Sequence, residues 1–178
     1  GTQNVAVGSA ALTANTTASN NTSVGFLALG ANTTADNNTA VGYNALVSDT
    51  TGSFNTGIGS NAAGAATTGA GVTALGHNAL AALTTSSNST ALGQSAGVSA
   101  TGSYNTFVGA RSGTTQSSGN QNTYVGEAAG YHMTTGAENT IIGRFDGNSG
   151  GLDIRTSSNH VVLSDGGGNV RLVCDNSA

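Results

Sequence analysis

The sequence predicts an all-β fold, a repetitive parallel β-roll or β-solenoid of nine coils of about 17 residues. Three observations carry that prediction. A glycine returns at Gly8, Gly25, Gly42, Gly59, Gly76, Gly93, Gly109, Gly126 and Gly143, always 17 residues on except for one interval of 16 after Gly93. The residue before each is branched and apolar: Val7, Val24, Val41, Ile58, Leu75, Leu92, Val108, Val125 and Ile142. The chain of 178 residues has 28 Gly, no Pro and only 7% charged residues, too little charge for a disordered polyelectrolyte. A fixed period outranks local propensity, because each unit buries its faces only against its neighbours.

Within a repeat the strand comes first. Thr stands three residues before the glycine in every repeat but the first, which has Val5. Asn stands four before it except at Val72 and Ser89. In Asn-Thr-small-Val, alternation puts Thr and Val on one face of a short strand and the small residue on the other. β-branched residues favour that strand over a helix. The apolar position before the glycine is read as the core column. The glycines are read as turns that end each strand where φ is positive or backbones approach closely. Further on, Ala stands three after the glycine in seven repeats, with Ser112 and Asp146 the departures. Thr or Ser stands eight after it, from Thr16 to Thr134, marking a second short strand or a corner. Coils stacked at ~4.8 Å make a rod roughly 43 Å long. Its Asn and Thr columns are placed to form hydrogen-bonded ladders.

Two columns change together. Four after the glycine, the early repeats carry Leu12, Leu29, Leu46, Ala63 and Leu80, and the late ones Gly97, Gly113, Gly130 and Gly147. Two before the glycine, small residues through Ala91 give way to Phe107, Tyr124 and Ile141. Constant volume per layer implies that both columns fill the same space. The sixth repeat is small in both and precedes the short interval, so a change of roll geometry is expected near residues 93–105.

Residues 1–147 are therefore assigned to the roll, and residues 148–178 to a C-terminal β hairpin or junction. In the latter, "LDIRT", "HVVLSD" and "VRLVCD" have β character, and "GGGN" (166–169) marks a hairpin turn. All four Arg and six of the eight acids lie from residue 111 onward. Such a segment caps a solenoid edge. Ordering each residue costs ~1–2 kcal/mol of backbone entropy, and the apolar material per coil is thin. An obligate homo-oligomer is expected, parallel and in register, with small-residue faces meeting.

Little in the chain points to chemistry. No catalytic, cofactor-binding or metal-binding residues are assigned. Asp36 and Asp49 read as solvated loop acids. Glu127 and Glu138 straddle one coil within reach of Arg111 and Arg144, which reads as a surface ion pair. His77, His132 and His160 lack ligand spacing, and "DGNSGGLD" (146–153) reads as a Gly-rich turn rather than a calcium loop. The formal net charge of −4, with scattered Arg, argues against nucleic acid. No apolar run approaches the ~20 residues of a membrane span. Gly1 already stands in the repeat register, so the chain reads as a piece of something longer. Among the aromatic residues, Phe26 and Tyr43 follow the glycine, and Phe54 and Tyr104 precede Asn-Thr. They are read as core or interface packing, with glycan contact by Tyr43 or Tyr104 as the sharper alternative.

The strings "NTSVGFLAL", "NTAVGYNAL", "STALGQSAG" and "NTYVGEAAG" resemble the head repeats of trimeric autotransporter adhesins of the YadA type. The resemblance implies a left-handed parallel β-roll with three chains side by side. The NT-x-V-G-x-x-A-L form is also similar to bacteriophage tail fibres. There, a segment like residues 152–178 precedes a self-cleaving chaperone domain. The implied function is a structural, non-catalytic segment of a trimeric phage tail fibre in host-cell attachment. It would be extracellular, on the virion, with itself as partner and a host glycan or protein as possible receptor. A bacterial surface adhesin head is an alternative. An ice-binding β-solenoid is another, suggested by the doubled Thr in residues 15–17, 32–34, 49–51 and 83–85.

Overall fold

The computed structural model describes residues 1–175 and contains no helix among them. It is a parallel β-solenoid of about nine coils. Each coil contributes one strand: β1 (Val5–Val7), β2 (Thr22–Val24), β3 (Thr39–Val41), β4 (Thr56–Ile58), β5 (Thr73–Leu75), β6 (Thr90–Leu92), β7 (Thr106–Val108), β8 (Thr123–Val125) and β9 (Thr140–Ile142). Neighbours pair in parallel with identical columns in register, as in Thr22↔Thr39 and Val24↔Val41. The Thr eight residues after each glycine forms no second strand; it is a corner.

The marker glycines do what their position suggests. Gly42 has φ 135°, and a Cβ there would stand 2.6 Å from the carbonyl oxygen of Gly59 in the next coil. Only glycine lets consecutive coils touch through their backbones at this point.

Alternation is as expected, but the faces are reversed. None of the apolar residues preceding the glycines belongs to the core; Val7 is 57% exposed and Leu92 44%. The column Val7, Val24, Val41, Ile58, Leu75, Leu92, Val108, Val125 and Ile142 lies on the outward face of the sheet. The inward positions are the Asn and the residue two before the glycine. Asn decides the matter, because its side chain is needed inside. Asn21 Oδ1 accepts the N–H of Asn38 at 2.8 Å, and its Nδ2 donates to the Ala35 carbonyl at 2.9 Å. Asn38 and Asn55 repeat the arrangement one coil further each time. After the gap at Val72, Ser89 resumes as acceptor, and Asn105, Asn122 and Asn139 carry the ladder to His160. Buried backbone groups that no strand satisfies thus find partners. A Thr ladder follows the corner, with the Thr33 and Thr50 hydroxyls donating to Thr50 and Thr67 carbonyls at 3.1 and 3.0 Å.

The core is filled by the inward columns, and the exchange of bulk is real. A Cβ on Gly97 would meet Phe107 Cδ2 at 2.5 Å, and one on Gly113 would meet Phe107 Cδ1 at 2.5 Å. Gly130 stands in the same relation to Tyr124. The early leucines hold left-handed backbone, with φ 49° at both Leu29 and Leu46, while Gly113 has φ 61°. The conformation is constant from Leu12 through Gly130, and only the source of bulk changes. Phe107 and Tyr124 are fully buried, the Tyr124 hydroxyl donating to Gln116 Oε1 at 3.0 Å.

The expected change of geometry near residues 93–105 does not occur: β6 and β7 pair like the others, Thr90↔Thr106 to Leu92↔Val108. The missing residue is absorbed at the exposed corner. There Thr101 is followed directly by Gly102, whereas other coils keep a second Thr or Ser. A deletion in a surface turn leaves the stacked columns in place.

The roll also runs past residue 147. After a short hairpin of β10 (Asn148–Ser149) and β11 (Leu152–Asp153), the chain regains the coil path. Ile154 is buried, and β12 (Val161–Ser164) pairs in parallel with β9 through Val161↔Thr140 and Leu163↔Ile142. The turn at residues 165–169 then returns β13 (Val170–Cys174) antiparallel to β12, as its glycines suggested. The boundary at residue 147 therefore marks an insertion within the roll and not its end. Residues 176–178 of the expected tail lie outside the described residues.

One buried acid breaks the apolar and amide pattern. Asp49 is fully buried where Asn15 and Asn32 stand in earlier coils, and is not the solvated loop acid expected. Burial pushes its carboxyl up to about 6, against the opposing hydrogen bonds from Asn55 and Gly52. A raised carboxyl favours the folded state when protonated, so the contribution of Asp49 to stability is fully present below its ordinary pKa of 3.8 and is lost as pH rises through about 6. Asp49→Asn should remove this slope and add up to ~3 kcal/mol at neutral pH, read by denaturant unfolding at acid and neutral pH. Gly113→Leu should destabilise by ~1–3 kcal/mol. Combined with Phe107→Ala, it should cost at least ~1 kcal/mol less than the sum of the single changes; strict additivity in unfolding titrations would refute the shared-volume account.

Candidate functional site

The most distinctive surface is the outward face of the sheet. On one rung, alternation presents Asn37, Thr39, Val41 and Tyr43 outward. Stacking makes each of these a column. The Thr column is unbroken from Thr22 to Thr140. The apolar column runs from Val7 to Ile142, and register extends it through Leu163 to Leu172 on β13. Its exposed members include Leu75 at 41% and Ile142 at 46%. These branched side chains are solvent-facing because Asn and the small residue hold the inward positions.

Aromatic residues flank this face on both sides. Phe26 and Tyr43 occupy adjacent rungs beyond the glycines, with ring centroids 5.6 Å apart and planes 12° from parallel. On the opposite flank, Phe54 and Tyr104 sit at corners with φ 64° and 61°. Both are more than half exposed. Most coils place Asn, Gln or Gly at this corner, and of these Gly and Asn suit left-handed backbone. Bulky aromatic residues there are held against local preference, a pattern associated with functional surfaces. Of the expected core or interface packing of these four, the core alternative is therefore corrected. Tyr43 and Tyr104 are exposed, but they stand on opposite flanks four rungs apart, ~19 Å along the axis. Tyr104 borders a shallow depression with Ser103, Asn120 and Gln121.

The charged groups behave as surface pairs. Glu127 accepts from Arg111 and from Arg144 Nε, the latter at 2.6 Å. The Arg111 and Arg144 guanidinium groups hold its carboxyl below the ordinary range. Glu138 does not enter this cluster. Asp153 pairs with Arg155, and Asp146 accepts from Asn148 N–H and the Ser149 hydroxyl, the turn role expected for residues 146–153. Among the described residues no group of three or more His, Cys, Asp or Glu is placed to hold a metal ion. The first Thr of the doubled pairs is not available to solvent ligands in full, since hydroxyls such as Thr33 Oγ1 are spent inside the ladder.

No protein-family model, no curated protein and no solved structure matches the chain.

Thermal unfolding tests the reading of the aromatic residues. Tyr104→Asn should be neutral or stabilising by up to ~1 kcal/mol, because Asn suits left-handed backbone. Tyr43→Ala should cost ~0.5–1.5 kcal/mol by removing the stacked pair.

Proposed function

We propose that the chain is a non-catalytic, structural segment of an extracellular fibre, a trimeric phage tail fibre in host-cell attachment, assembled from parallel copies in register. The observation that supports this reading is the unbroken apolar stripe on a flat, otherwise polar sheet face. Nine rungs at strand spacing give the stripe a length of roughly 38 Å. Copies of the same chain share the same rung spacing, so Thr and Val columns of neighbours meet rung for rung. The seam is thus assigned to the outward Val and Thr face, since the small inward residues are already buried within the chain. The Thr and apolar columns themselves carry no charged residue, which suits association without dependence on salt. In such an assembly the repeat number sets reach, and three parallel copies give multivalent contact. The head of a bacterial surface adhesin shares this mechanism.

Native mass decides it. Wild type should have three times the 17.1 kDa chain mass and keep it on dilution. Leu75→Glu with Leu92→Glu, at exposed positions, should yield folded monomers. A wild-type monomer at every concentration would sink the shared-face assembly.

A second reading rests on the unbroken Thr column: a flat, regular array of hydroxyl and methyl groups is a surface on which ordered water can settle. Ice binding then belongs to Thr22 through Thr140 on the strand face and not to the doubled corner threonines. Thermal hysteresis in the wild type, lost on Thr73→Lys with Thr90→Lys, is its expected signature.

A further inference from the structure

Where the ninth coil meets the terminal hairpin, the surface forms a bowl of about 350 Å³. Arg111 and Arg144 line it together with Asp146 and Ser149, and Ala128 and the Tyr131 ring add apolar surface. The hairpin turn at Gly167 and Gly168 forms another part of the wall. That turn is fixed by Asp165, whose Oδ1 accepts the N–H groups of Gly167 and Asn169 at 2.9 and 3.0 Å. Gly168 has φ 86°, and a Cβ there would lie 3.1 Å from the Arg144 carbonyl oxygen.

The polar groups are held in place before any ligand arrives. Glu127 engages only Nη2 of Arg111 and Nε of Arg144. The other guanidinium nitrogens remain as donors. Arg111 also lies over the Tyr131 ring, 5.9 Å from its centroid, and His132 meets that ring edge-on at 4.8 Å. Asp146 Oδ1 accepts from Asn148 N–H at 2.9 Å and from the Ser149 hydroxyl at 2.7 Å. Partial burial works against the Asp146 charge, but the Ser149 and Asn148 hydrogen bonds and nearby His132 outweigh it and keep the carboxyl below its ordinary range. It is therefore an ionised acceptor at neutral pH.

Charge balance selects the ligand class. Two guanidinium groups face two carboxylates, Glu127 and Asp146, while Asp165 and Arg171 neutralise each other behind the turn. An anion gains no net Coulomb attraction from this set. A neutral molecule with many hydroxyls matches it, because each hydroxyl both donates and accepts. Hydrogen bonds to charged partners are about twice as strong as neutral ones. The volume falls at the small end of the ~300–1,000 Å³ of ordinary ligand sites, the size for one sugar residue. Its C–H surface would rest on Tyr131 and Ala128.

We propose that this bowl binds a single residue of a neutral saccharide, with Arg111 and Arg144 donating to its hydroxyls and Asp146 accepting from them. The proposal stands on the bowl alone and holds whether or not the chain is a fibre segment. Saturation-transfer NMR on the full chain, with galactose, glucose, mannose, N-acetylglucosamine and glucuronic acid as probes, tests it. At least one neutral sugar should bind, with contacts to Tyr131 and an affinity that changes little between low and high salt. Arg144→Gln and Asp146→Asn should each weaken binding about tenfold or more, the loss of one charged hydrogen bond. Should Asp146→Asn disturb the turn, Arg111→Gln is the independent variant, since its exposed side chain holds no backbone group. Failure of every neutral sugar to bind, preference for glucuronic acid that fades with salt, or undiminished binding in both arginine variants would each overturn the proposal.

Discussion

The whole molecule depends on one constraint: each coil lies directly on the next at strand spacing, with like residues in register. That stacking gives the strand backbones and many of the turn groups a partner one coil away, as in Leu29 N–H to the Ala45 carbonyl. The Asn column makes it possible, because a strand of three residues satisfies too little of the coil by itself. Each Asn that precedes a strand takes an N–H from the following coil and donates from its amide to a corner carbonyl. The inward orientation of Asn then decides which way every other strand side chain faces. Branched apolar residues are expelled to the surface by this rule, although burial is their ordinary preference.

Stacking also explains where variation is allowed. Inside, a volume lost in one column must be returned by another, so glycine at residue 113 goes with phenylalanine at residue 107. Outside, a corner can lose a residue at Thr101-Gly102 or gain a hairpin at residues 148–153 without moving the rungs that follow. Asp49 is the costly exception, a carboxyl placed where amides or apolar groups stand in other coils. The antiparallel strand β13 ends the series by covering the edge of β12.

The same architecture separates two kinds of surface. The long sheet face is apolar and hydroxylated and carries its aromatic residues on the flanks. The ion pairs of Arg111, Glu127 and Arg144 gather instead beside the terminal hairpin, where insertion and turn create a concavity.

By itself, the sequence determined the period, the strand positions, the turn glycines and the exchange of bulk between columns, because each repeats at a constant offset. The terminal hairpin at residues 165–169 was legible for the same local reason, a glycine-rich turn between two β runs. The direction of the faces was not legible. Alternation states only that Thr39 and Val41 share a face, while the choice of inside depends on hydrogen bonds to another coil. The inward column of Asn32, Asp49, Ala66, Leu83 and Gln116 is hard to see in the sequence because its chemistry varies while its position does not. The tenth rung was hidden by the insertion, although Val161, Val162 and Leu163 keep the strand alternation. The bowl joins residues from 111 to 168, and only the closure of coil upon coil brings them together. Local offsets are written along the chain; contacts between coils are settled by packing in three dimensions.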